Sequence, residues 1–149
     1  MTTPTRARSE PDLPRILIVE DDEGNREVLA YFLRRQGFAV ETSPNGESAL
    51  AALDERDAAP YSLVLLDVVM PGIGGLETLR VLRQRFSSDA LPVIMFTGLD
   101  AGEDVSAALA MGATDYVSKP YQLADALTLI RGVLARATTA ETPRDSLRQ

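Results

Sequence analysis

The sequence predicts an α/β protein built on a doubly wound parallel sheet of five strands. Three observations carry this. Five short strand-like runs occur in order: RILIVE (15–20), FAVETS (38–43), SLVLLD (62–67), LPVIMFT (91–97) and DYVSK (115–119). The richest of them are continuously apolar rather than alternating, as strands covered on both faces are. Each is followed by a segment whose apolar residues recur at helical spacing, so strand and helix alternate along the chain.

Taken in order, residues 1–14 hold three prolines and small polar residues and read as a flexible arm. RILIVE begins the sheet. From Asn25 to Gln36, Val28, Leu29, Phe32 and Leu33 form a helical stripe, and Gly37 supplies the stop. After the second strand, Pro44-Asn45-Gly46 turns the chain into a helix over about 46–56, with Ala49, Leu50 and Leu53 inward. Following the third strand, Leu76, Leu79, Leu82 and Phe86 mark a third helix. An alanine-rich fourth helix is expected over about 103–111, ended by Gly112. Leu123, Leu127, Ile130 and Leu134 stripe a closing helix that should stop near Arg136, leaving a polar C-terminal tail over 138–149. Right-handed crossovers leave few ways to connect such units.

Composition narrows the chemistry. The 149 residues suit one domain with a real core. No apolar run approaches a membrane span, and the N-terminus lacks the apolar centre of a secretory signal, which together point to the cytoplasm and to no membrane insertion. Without cysteine there is no thiolate nucleophile or zinc site, and without histidine the commonest general base and transition-metal ligand are gone. A bound metal should therefore be a hard cation held by oxygen. The net charge of −7 argues against direct nucleic-acid binding. No GxxxxGK[ST] loop is present to hold a nucleotide.

In open α/β sheets the working site lies at the carboxyl ends of the strands. Here the first strand runs into Glu20-Asp21-Asp22-Glu23, the third ends in Asp67, the fourth in Thr97 and the fifth in Lys119, the chain's single lysine. Taken one at a time these have ordinary readings, since polar residues commonly follow strands and acidic runs are usually solvated. Asp67 does not fit the ordinary reading well. It sits inside LVLLDVVMPGIGG (63–75), where an ionised carboxylate is costly unless something pairs with it.

The constellation resembles the receiver domain of two-component response regulators. The likeness rests on ILIVEDD (16–22) with Arg26 following, NGESAL (45–50), LVLLDVVMPGIGGLE (63–77), PVIMFTG (92–98) and GATDYVSKP (112–120), and it covers roughly 15–136. It implies a flavodoxin-like (βα)5 fold with strand order 2-1-3-4-5 and a receiver domain over 15–137. It also implies that Asp67 accepts a phosphoryl group from a phosphohistidine, on a sensor histidine kinase or a histidine phosphotransfer protein. Mg²⁺ would be the cofactor, held by Glu20, Asp21, Asp67 and the main-chain carbonyl of Val69. Asp22 can replace one of the acidic pair, although the spacing to Arg26 favours Glu20 and Asp21. Lys119 would pair with Asp67 at rest and with a phosphoryl oxygen afterwards, and the Lys119–Pro120 bond would be cis. Thr97 and Tyr116 would be the switch, and the fourth helix, fifth strand and fifth helix (103–136) the surface read by a downstream protein target. In some members that surface also forms a phosphorylation-dependent homodimer, for which exposed Leu or Ala on the fourth helix would serve.

Such a chain is a phosphoacceptor switch rather than an enzyme in the ordinary sense. Val69 and Leu99, two residues beyond Asp67 and Thr97, are apolar and unable to orient an attacking water, so slow self-dephosphorylation is expected. Two other readings compete. A haloacid-dehalogenase-like phosphatase also uses an Asp after a parallel strand, but it wants a second Asp where Val69 stands. A phosphorylation-independent interaction module would keep the fold alone, and partner binding unchanged in Asp67→Asn would favour it. The residues after 137 leave no room in this chain for a DNA-binding or enzymatic output domain. A complete chain would then be a stand-alone receiver, and a fragment would have its output elsewhere.

Overall fold

Ile16, Leu17, Ile18 and Val19 are each no more than 1% exposed, although consecutive strand residues point to opposite faces. Both sides of the strand are therefore covered, as continuous apolar runs require. The computed structural model describes the backbone of residues 13–56, 61–98 and 102–148, and the side chains of these except 55–56, 102–104 and 138–148. The elements are β1 (Arg15–Val19), α1 (Glu23–Arg35), β2 (Ala39–Ser43), α2 (Gly46–Arg56) and β3 (Leu63–Asp67). They continue with α3 (Gly74–Arg85), β4 (Val93–Thr97), α4 (Gly102–Ala110), β5 (Asp115–Ser118) and α5 (Leu123–Arg148).

The strands form one parallel sheet in the order β2-β1-β3-β4-β5, the order expected. One face packs Ile16, Ile18, Leu65 and Ile94 against Leu29 and Leu33 of α1 and Ile130 and Val133 of α5. The other packs Leu17, Val19, Leu66 and Met95 against Leu53 of α2, Leu79 and Leu82 of α3 and Ala108 of α4. The chain goes from β1 outward to β2, then returns to place β3 on the other side of β1. A crevice opens at the carboxyl ends of β1 and β3, where the winding reverses.

Three expectations need correction. The helix predicted from Asn25 starts at Glu23, because Asp22 accepts a hydrogen bond from the Asn25 N–H and caps it. Val28, counted in the helical stripe of α1 by its spacing, is 57% exposed, while Ala30, outside that stripe, is buried. The apolar stripe of that helix is wider than the face the sheet covers. The closing helix does not stop near Arg136 but runs to Arg148, so the tail expected over 138–149 is helical as far as Arg148. The stripe that ends at Leu134 reports burial against the sheet, and the backbone stays helical beyond it, through Pro143, which donates no hydrogen bond to the turn before it. The arm expected over 1–14 lies outside the described residues as far as 12. Among the described residues no helix is long and apolar enough to cross a membrane.

Candidate functional site

Strands β1 and β3 are adjacent and in register, with Val19 opposite Leu66. The next residue of each chain segment is therefore delivered to the same edge of the sheet: Glu20 and Asp67. Both are buried, at 8% and 5% exposure, while Asp21 is exposed at the surface of the crevice. One carboxylate oxygen from each of Glu20, Asp21 and Asp67 lies within 4.8 Å of the others. Asp22, the alternative member of the acidic pair, is turned away to cap α1.

Lys119 reaches this trio from beyond β5, two strands away from β3. Its Nζ donates to Asp67 Oδ2 and to Glu20 Oε1, each at 3.1 Å. Its backbone N–H donates to the Thr97 carbonyl, and the Lys119–Pro120 peptide is cis, as expected. Burial pulls the Lys119 ammonium down, but the charge of Asp67 and the hydrogen bond to it, reinforced by Glu20, hold it above its ordinary value. Burial pushes the Glu20 carboxyl up, and the nearby Asp67 charge adds to this; the Asp22 N–H and Lys119 oppose it without cancelling it. One lysine thus faces three carboxylates, and negative charge is left over.

The turn after β1 is held closely. The Asp22 N–H donates to Glu20 Oε2 at 3.1 Å, and Arg26 Nη1 donates to the Glu20 carbonyl at 2.9 Å. After β3, the Val69 N–H makes a long contact of 3.4 Å to Asp67 Oδ1, and the Val69 side chain points outward, 72% exposed. The Gly75 N–H donates to the Val68 carbonyl and brings α3 directly under the loop that follows Asp67. A cleft of about 540 Å³ runs from Glu20 and Lys119 past Asn25, Pro120 and Tyr121.

Thr97 ends β4 beside these groups, 1% exposed, and among the described residues its Oγ1 has no hydrogen-bond partner. Tyr116, on the edge strand β5, is 41% exposed. Leu99 lies outside the described residues. Sequence reading did not single out Arg26 beyond its spacing, nor Tyr121, whose ring meets Phe96 edge-on at 5.1 Å and walls the cleft.

The fold and its edge site define a doubly wound α/β domain with its polar groups at the point where the winding reverses. The chain belongs to the response regulator receiver domain family, whose model matches residues 16–131. It is 42% identical over 121 residues to the sensory transduction protein RegX3 of Mycobacterium tuberculosis, covering 81% of this chain and 51% of that protein. It is 39% identical over 125 residues to the phosphate regulon transcriptional regulatory protein PhoB of Rhizobium meliloti, covering 84% of this chain and 54% of that one. A CheY-like response regulator receiver domain protein from Methanospirillum hungatei superposes with a TM-score of 0.79 at 28% identity, over 87% of this chain and 99% of that structure. The chain spans about half the length of the curated relatives it matches.

Proposed function

We propose that this receiver domain is a phosphoacceptor switch whose acceptor is Asp67. The observation that carries the reading is the acidic trio closed by one lysine: a buried carboxylate at the end of a central strand, Lys119 Nζ 3.1 Å from it, and Glu20 and Asp21 beside it. A carboxylate is a weak nucleophile, so the reaction depends on a reactive donor and on placement. An Asp67 oxygen attacks the phosphorus of a phosphohistidine on a sensor histidine kinase or histidine phosphotransfer protein. The P–N bond breaks, the imidazole nitrogen keeps the electron pair and takes up a proton, and an acyl phosphate remains on Asp67. Lys119 stays near the acceptor and neutralises a phosphoryl oxygen.

The donor set suits a hard divalent cation. Three carboxylates converge, every candidate ligand is oxygen, and Lys119 alone leaves the cluster negative. Glu20, Asp21, Asp67 and the Val69 carbonyl would hold Mg²⁺. When bound, it would offset the mutual repulsion of the carboxylates and the charge of the incoming phosphoryl oxygens.

The signal follows from a buried hydroxyl. Thr97 Oγ1, without a partner among the described residues, has a reason to turn toward a phosphoryl oxygen at Asp67. Its movement frees space toward β5, where Tyr116 shifts from its exposed position, and the surface of α4, β5 and α5 is altered for a downstream protein target. Leu109, 44% exposed on α4, is available on that surface for a homodimer. The change is a shift between two populations of one fold. Intact-mass analysis after acetyl phosphate and Mg²⁺ should show one labile adduct, absent in Asp67→Asn. A folded wild-type chain that never gains it, even from a cognate phosphorylated kinase, overturns the proposal.

A further inference from the structure

Arg26 lies in the first turns of α1 and reaches back past the helix start to the end of β1. Its Nη1 donates to the Glu20 carbonyl at 2.9 Å, and its own backbone N–H donates to the Asp22 carbonyl at 2.9 Å. Glu20 is further tied by its N–H to the Ser43 carbonyl, and its side chain accepts from the Asp22 N–H, each at 3.1 Å. Asp22 is occupied with the Asn25 N–H at 2.8 Å. Every one of these bonds falls on a neighbour of Asp21. Among the described residues, the Asp21 side chain makes no hydrogen bond of its own, yet its carboxylate sits within 4.8 Å of Glu20 and Asp67.

We infer that Arg26 is a positioning residue for the cation site: its bond to the Glu20 carbonyl fixes the peptide that carries Asp21 and so aims an otherwise untethered ligand. This rests on the proposed divalent-cation reading. An arginine suits the task because it stays charged at any working pH and donates from a planar fork at the end of a long stem. Outer groups that orient ligands commonly matter nearly as much as the ligands themselves.

Removing Arg26 can act on the cation in two ways, and they differ in sign. A fixed positive charge near a cation site repels the cation, so removing Arg26 purely as a charge must tighten metal binding. Removing it as a positioner must loosen binding, because Asp21 then has to be ordered when the cation arrives. Charge and placement therefore predict opposite shifts from one substitution.

The test is calorimetric titration of the whole chain with MgCl₂ at constant ionic strength, comparing wild type with Arg26→Met and Arg26→Gln. Arg26 is partly exposed, and methionine and glutamine are good helix formers, so α1 is kept in both. The expected result is a dissociation constant raised roughly tenfold in each neutral variant, the low end for an outer group behind a metal ligand. Arg26→Lys, which restores a donor and the charge, should recover part of that loss. Thermal unfolding without metal separates the effects, since a merely structural arginine lowers the midpoint and leaves the affinity of the folded chain alone. Affinity equal to or tighter than wild type in either folded neutral variant overturns the inference. Failure of the wild-type chain itself to bind Mg²⁺ overturns the site reading instead.

Discussion

Glu20 is buried at a cost within the acidic trio, and that cost can be measured. Burial, with the Asp67 charge behind it, holds its carboxyl above the ordinary value. Between the ordinary and the raised value the folded chain carries more protons at Glu20 than the unfolded chain. Stability therefore falls as pH rises through that window, and the full penalty remains at neutral pH. In metal-free buffer Glu20→Gln should raise unfolding stability at pH 7 by about 1 kcal/mol, a gain typical of relaxing a functional site. The gain should vanish once the pH drops below the ordinary carboxylate range, as urea unfolding at both pH values will show. A loss at pH 7 would mean that the Lys119 bond at 3.1 Å outweighs burial. Val69 raises a different matter, the lifetime of the acyl phosphate proposed on Asp67. Its side chain is exposed and apolar two residues beyond Asp67, so it offers no polar group to hold a water in line. The adduct should persist for minutes or longer, and Val69→Gln should speed its decay roughly tenfold, less than a true general base supplies. Decay of the wild-type adduct within seconds would contradict this.

The glycines after β3 separate what local sequence conveys from what it conceals. Pro71-Gly72-Ile73-Gly74-Gly75 reads as a turn, and Gly72 and Gly74 do take left-handed backbone, with φ of 82° and 74°. Gly75 has a different reason. A Cβ there would lie 2.1 Å from the Asp67 carbonyl oxygen and 2.6 Å from the Val68 Cα, both backbone. Helix α3 packs so closely under the loop that follows Asp67 that only hydrogen fits. Nothing in the spacing of three glycines distinguishes a dihedral requirement from a packing one, because the packing partner is fixed by the tertiary fold. Gly75→Ala should therefore destabilise by about 3 kcal/mol, as forced overpacking against an unyielding neighbour does, and denaturant unfolding would register it. A cost within the usual surface range of about 0.5 kcal/mol would show that α3 can slide away. Val28 and the length of α5 escaped the sequence for a related reason. Apolar periodicity reports which residues can be buried, but coverage by the sheet decides which ones are, and the helical backbone of α5 runs on past the end of its apolar stripe.

The order of the elements was legible throughout, because five apolar runs separated by helical stripes have few right-handed solutions, and the one adopted puts β1 and β3 side by side. That adjacency is what turns separated letters, Glu20-Asp21 and Asp67, into one cluster, with Lys119 drawn in from beyond β5. Hidden from the sequence were the braces that hold these parts, such as Arg83. Its Nε donates to the Gly112 carbonyl and its Nη1 to those of Phe86, Ser87 and Leu91, so it ties the end of α3 to the turn before β5. A surface-type residue in a helical stripe carries no mark of such a duty. The joining of distant strands at one edge has a consequence for the folded state as a unit. A cation held by Glu20, Asp21 and Asp67 binds only when β1 and β3 are aligned, so it stabilises the native chain by mass action. With Mg²⁺ at a hundredfold its dissociation constant, stability should rise by about 2.7 kcal/mol. For a chain of this size that corresponds to a melting midpoint higher by roughly 5–10 °C. NaCl matched for ionic strength should produce little of the shift, and Asp21→Asn or Asp67→Asn should lose most of it, because each leaves two carboxylates to satisfy a cation that wants more. A melting curve insensitive to Mg²⁺ in the wild-type chain would show that the trio is balanced by Lys119 alone.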